Sequence, residues 1–98
     1  MTRKQEVLDR LAAHRDLLRG QFDVKELLVF GSIARDDAKA DSDVDVLVTF
    51  VATTRFDQFM ELKFYLEDLL GAPVDLVTRK ALRPHMRASV EREAVNVA

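Results

Sequence analysis

The spacing of apolar positions along the chain changes several times, and each change marks an element. In residues 3–19, RKQEVLDRLAAHRDLLR, the residues Val7, Leu8, Leu11, Leu17 and Leu18 recur at near-helical spacing. That spacing predicts an amphipathic helix ending near Gly20, a natural stop. KELLVF (25–30) is short, apolar and bounded by Gly31, as a buried strand is. SIARDDA (32–38) reads as a short helix with Ser32 as its N-cap, and KADS (39–42) as a polar loop. DVDVLVTF (43–50) alternates, with Val44, Val46, Val48 and Phe50 on one face and Asp43, Asp45, Leu47 and Thr49 on the other. RFDQFMELKFYLEDLL (55–70) sets Phe56, Phe59, Met60, Leu62, Leu66, Leu69 and Leu70 on a broad helical face, expected to be core, and Gly71 and Pro73 close it. PVDLVT (73–78) is a third short strand. LRPHMRASVEREAVNV (82–97) reads as a last helix, with Pro84 confined to its first turn.

The predicted order is α-β-α-β-α-β-α, with no repeat, low-complexity tract or linker. Such alternation predicts an α/β (α+β) fold, one small mixed sheet with helices packed against it. At 98 residues, a single domain over 1–98 is expected.

Composition narrows the chemistry. The absence of cysteine excludes disulfides and thiolate metal sites, and the imidazoles, His14 and His85, lie far apart in sequence. Any metal is then expected to be a hard ion held by carboxylates. The formal net charge of −2 does not suggest a nucleic-acid-binding surface, so no direct nucleic-acid contact is expected. The opening MTRKQEVLDR lacks an apolar signal core, and no apolar run reaches membrane-spanning length. A soluble, cytoplasmic protein without a membrane partner is the expectation.

The strand 43–50 carries the sharpest chemical signal. Side chains two apart on a strand point the same way, with Cα atoms about 6.5 Å apart. Asp43 and Asp45 can therefore converge on one small volume, where each raises the other's pKa unless a cation compensates. Mg²⁺ is bound by one or two carboxylates together with substrate phosphates, and two such ions can hold the attacking and leaving oxygens of an in-line displacement. Asp75, flanked by Val74 and Leu76, alternates out of the core in the same way. If strands 43–50 and 73–78 are neighbours, Asp75 lands beside the pair, near enough to act on an attacking hydroxyl. Gly31 and Ser32 supply a complementary part, because a glycine leaving a strand admits a ligand close to the backbone and a following helix start favours phosphate.

Each feature alone has a plain structural reading: a solvated strand face, a capped turn, an edge charge that discourages aggregation. Their order on consecutive elements sets them apart. His14 and His85 read as residues at a helix flank and a helix start, and Tyr65 as a core or rim tyrosine. Arg79, Lys80, Arg83 and Arg87 form either a solvated face or a basic patch near a nucleotide or partner.

Gly-Ser, ten residues, then Asp-X-Asp, with a later Asp on the next strand, resembles the nucleotidyltransferases of the DNA polymerase β superfamily. FGSIARDDAKADSDVDVLV is similar to the minimal nucleotidyltransferases in particular, and the resemblance covers nearly the whole chain. It implies the polymerase-β-type fold, with Asp43, Asp45 and Asp75 as catalytic metal ligands for Mg²⁺, two ions in all, and with Gly31 and Ser32 on the triphosphate of ATP. Arg35 and Ser42 also match nucleotide-binding positions. The sequence departs from the family at Ile33, where many relatives carry a basic residue, at Asp36 in place of a frequent glycine, and at Ala40 in place of a frequent proline.

The resemblance further implies an antitoxin encoded beside a HEPN-type helical RNase toxin, transferring AMP onto a tyrosine of that toxin. Size points the same way independently, since only 23 residues follow Asp75 and leave room for one helix. A separate macromolecule, or a second copy in a homo-oligomer, must then build much of the acceptor site. The alternative is a binding-only antitoxin that keeps the triad as a relic or a nucleotide sensor. Transfer to a small molecule such as an aminoglycoside is disfavoured by the short chain.

Overall fold

The computed structural model describes residues 2–39 and 41–97. Its elements are α1 (Arg3–Ala13), α2 (Arg15–Phe22), β1 (Val24–Phe30), α3 (Gly31–Arg35), β2 (Val44–Phe50), α4 (Phe56–Leu70), β3 (Val74–Thr78), α5 (Pro84–Glu93) and β4 (Val95–Asn96). The sheet order is β3-β2-β1-β4. β2 runs parallel to β3, whereas β1 is antiparallel to both β2 and β4. The sheet is therefore mixed, and the fold is α+β as expected.

Two apolar layers hold it. On one face, Val7, Leu11 and Leu18 of α1 and α2 and Leu62 and Leu66 of α4 pack on Leu27, Val29, Val44, Val46 and Val48. Fully burying one such side chain is worth about 1.5–3 kcal/mol. On the other face a smaller cluster joins Phe30 and Leu47 to Leu82 and Val90, which α5 and the segment before it lay over the sheet. Leu47 is thus buried although it shares a strand face with Asp43 and Asp45. A bulge between Val24 and Glu26 shifts the register of β1, so Val24 and Leu27 share a face despite their odd spacing.

Several expectations are corrected. The first helix is two helices, broken at His14, where φ is −107° and the ring Nδ1 donates to the Arg10 carbonyl at 2.8 Å. This local side-chain bond competes with the helical ladder. Gly20 lies inside α2, and the stop is Asp23 in the left-handed region at φ 56°. Leu17 and Phe56 are exposed at 38% and 77% instead of joining the core. The last helix ends at Glu93, and Val95–Asn96 form a fourth strand on β1. Two strand residues are too few to show a period in sequence. Gly71 does end α4, in the left-handed region at φ 65°. Among the described residues no helix is long and apolar enough to cross a membrane.

Candidate active site

The sheet register assembles the site. Phe30 of β1 pairs with Asp45 of β2, and Asp45 pairs with Asp75 of β3. The two carboxylates therefore stand side by side on adjacent strands, as the strand alternation anticipated. Asp43 immediately precedes β2. The chain leaving Phe30 turns at once into Gly31, whose φ is +72°. A Cβ built on Gly31 would overlap Asp45 Oδ2 and lie 3.1 Å from its Cγ. Position 31 is restricted to glycine twice over, by a left-handed backbone and by a carboxylate packed against its Cα.

Electrostatics then single out Asp45. It is partly buried, and its carboxyl is pushed above the usual carboxylate range, first by burial, then by Asp75, then by Asp43. The Arg35 guanidinium opposes this more weakly. A cation among the three would relieve the repulsion. The donor set is all carboxylate oxygen, which suits Mg²⁺ and no soft metal. Among the described residues, no three acidic or imidazole side chains close into a preformed cage.

The remaining predicted residues fall around this point. Ser32 does not cap α3; the cap position is Phe30, and α3 has only five residues, too few for a substantial helix dipole. Any phosphate cradle here rests on the Gly31 backbone and the Ser32 hydroxyl. Arg35 ends α3, with Nε donating to Asp37 Oδ2 and Nη1 to Glu93 Oε2, both at 3.1 Å. Ser42 Oγ accepts the Lys39 N–H at 2.9 Å, and its carbonyl accepts from Arg3 at 3.1 Å, so Ser42 shapes the loop before β2.

Ile33 is completely buried against the main core, so this position faces away from the site. Asp36 adopts the left-handed conformation at φ 62° that a glycine would take, which preserves the turn. Ala40 lies outside the described residues. Arg79 pairs with Glu26 at 2.6 Å, and Lys80, Arg83 and Arg87 are exposed. Tyr65 stacks on Phe22 at the core's rim, 5.1 Å between centroids. Glu93 was not legible as a partner of Arg35. Its link to Arg35 spans 58 positions and depends on how α5 folds back.

The sequence profile of the family described as "Nucleotidyltransferase domain" matches residues 11–97. The chain belongs to this nucleotidyltransferase family. A protein adenylyltransferase, MntA of Thermococcus cleftensis, is 46% identical over 93 residues, covering 95% of this chain and 94% of that one. A candidate protein adenylyltransferase of Methanocaldococcus jannaschii is 40% identical over 93 residues, covering 94% and 95%. Among solved structures, a candidate minimal nucleotidyltransferase superposes with a TM-score of 0.72 at 40% identity, covering 90% of this nucleotidyltransferase and 93% of that chain. A chain from a tri-AMPylated Shewanella oneidensis HEPN toxin in complex with its MNT antitoxin shares the fold, with a TM-score of 0.65 at 18% identity, covering 93% and 71%.

Proposed function

We propose that this nucleotidyltransferase moves AMP from ATP onto a tyrosine hydroxyl of a HEPN-type helical RNase, and that it serves as the antitoxin of that partner. The observation that carries the reading is Asp45, paired in register with Asp75 and packed against a Gly31 that has no room for a side chain. Near-full-length likeness to a protein adenylyltransferase supports AMP as the group transferred and protein as the acceptor. The fold shared with a chain from a complex of a tri-AMPylated HEPN toxin and its MNT antitoxin supports the partner class.

In this reading the acceptor oxygen attacks the α-phosphorus, the P–O bond to pyrophosphate breaks, and the hydroxyl proton leaves to a base. Asp43, Asp45 and Asp75 would hold two Mg²⁺ ions, which when bound supply the positive charge that the attacking and leaving oxygens require. Asp75, exposed on β3, would accept the hydroxyl proton. The Gly31 backbone, the Ser32 hydroxyl and the Arg35 guanidinium would orient the triphosphate. Arg83 and Arg87, exposed on the α5 side of the sheet, would face the partner, which would supply the acceptor hydroxyl.

The test is intact-mass spectrometry of a HEPN-type partner after incubation with this protein, ATP and Mg²⁺. One AMP added to a tyrosine is the expected result. Neutralisation with no mass change, achieved equally by the Asp43→Asn/Asp45→Asn variant, would establish a binding-only antitoxin instead.

A further inference from the structure

We infer that Glu93, at the end of α5, is a positioning residue for Arg35 and sets how tightly the nucleotide is held; this rests on the reading of Arg35 as a triphosphate contact. Glu93 Oε2 accepts two hydrogen bonds, from Arg35 Nη1 at 3.1 Å and from Ser89 Oγ at 2.9 Å. Ser89 lies one helical turn earlier on α5, so its hydroxyl helps hold the carboxylate that Arg35 meets. The Glu93 side chain is 24% exposed, against 42% for Arg35 and 58% for Asp37. Glu93 is therefore the less solvent-exposed of the two anchors on the guanidinium. The backbone behind it is pinned as well: the Ala94 N–H donates to the Val90 carbonyl at 3.0 Å, and Val95 pairs with Val29 of β1.

The geometry of the guanidinium gives this arrangement a use. Asp37 takes Nε and Glu93 takes Nη1, which leaves Nη2 uncommitted among the described residues. A planar guanidinium held at two of its three nitrogens presents the third in a fixed direction. Arg35 ends α3, the five-residue helix whose first residue, Gly31, packs against Asp45, so the guanidinium stands about one helical turn from the aspartate site. Without Glu93, the Arg35 guanidinium would keep one anchor, Asp37, two residues along the chain, and could swing about that single bond. The C-terminal helix and strand thus reach the nucleotide site through one carboxylate.

Calorimetry of ATP binding in MgCl₂ tests this without any acceptor, and an equilibrium melt reports folding for each variant. Arg35→Ala is expected to weaken binding about tenfold or more. Glu93→Ala should weaken it severalfold in the wild-type background and not at all in the Arg35→Ala background. Glu93→Gln, which keeps an acceptor oxygen for Arg35, should recover part of the loss even if Glu93→Ala proves poorly folded. With the partner present, the loss should appear in KM for ATP more than in kcat. Unchanged or tighter binding in a folded Glu93→Ala, or an equal loss in both backgrounds, would overturn the inference while leaving AMP transfer intact. If Arg35→Ala leaves affinity untouched, the triphosphate role of Arg35 fails and the inference falls with it.

Discussion

Gly31 and Asp45 leave each other no room for a methyl group, since a Cβ on the first would overlap the carboxylate of the second. Gly31→Ala should therefore be destabilised by more than the left-handed backbone alone costs, about 1–2 kcal/mol. Chemical denaturation checks the total. Adding Asp45→Ala should recover the part due to overlap and leave the part due to φ. A simple sum of the two single effects would mean that the carboxylate moves aside without cost.

Asp45 should make the metal-free protein less stable at neutral pH. Its folded pKa lies above the unfolded value near 3.9, chiefly through burial and then through Asp75 and Asp43. The stability associated with its protonation is full below the unfolded value and is lost as pH rises through the folded value. Asp45→Asn should thus melt above the wild type at pH 7 in EDTA, with the difference shrinking toward pH 3. MgCl₂ should raise the wild type and leave the variant nearly unchanged. Equal responses to Mg²⁺ would remove Asp45 from the ligand set.

Glu67 should behave oppositely. Its Oε2 accepts the Val74 N–H at 3.0 Å and a Lys63 ammonium bond at 3.2 Å, tying α4 to the start of β3 just ahead of Asp75. The Val74 bond first, and Lys63 second, hold its carboxyl below the ordinary range. Its contribution is present above the unfolded value near 4.3 and is lost as pH falls through the folded value. Glu67→Gln should lower the melting temperature at pH 7, and the deficit should close in acid. A deficit that persists unchanged in acid would show that charge is not its cause.

Ile33→Arg would restore the basic residue common in relatives, yet it should not improve nucleotide binding. Ile33 is fully buried, so an unpaired guanidinium there should cost about 3 kcal/mol or more. Ile33→Val should cost only about 1 kcal/mol. Urea denaturation separates the two, and a stable, tighter-binding Ile33→Arg would show that position 33 can face the site.

Much of this geometry was legible in sequence because it follows from strict alternation. The period of two in β2 and β3 put Asp45 and Asp75 opposite Val44, Val46 and Val74, and their parallel pairing then brought them together. Other features had no local signal. The break at His14 turns on one ring-to-carbonyl bond, and Asp23 and Asp36 take left-handed conformations usually read from glycine. Phe56 lies on the apolar stripe of α4 but beyond the reach of the sheet. Glu93 looked like one more charge on the last helix, because Arg35 lies far away along the chain.

The most direct test follows the label. The protein, a HEPN-type acceptor and Mg²⁺ are incubated with ATP labelled at the α-phosphate or, separately, at the γ-phosphate. Label from the α-phosphate should enter the partner and label from the γ-phosphate should not, with Asp43→Asn/Asp45→Asn reducing the signal on the order of a thousandfold, as a loss of several kcal/mol would. Incorporation from the γ-phosphate, or α-label transferred equally well by the double variant, would contradict the assignment of AMP transfer to these aspartates.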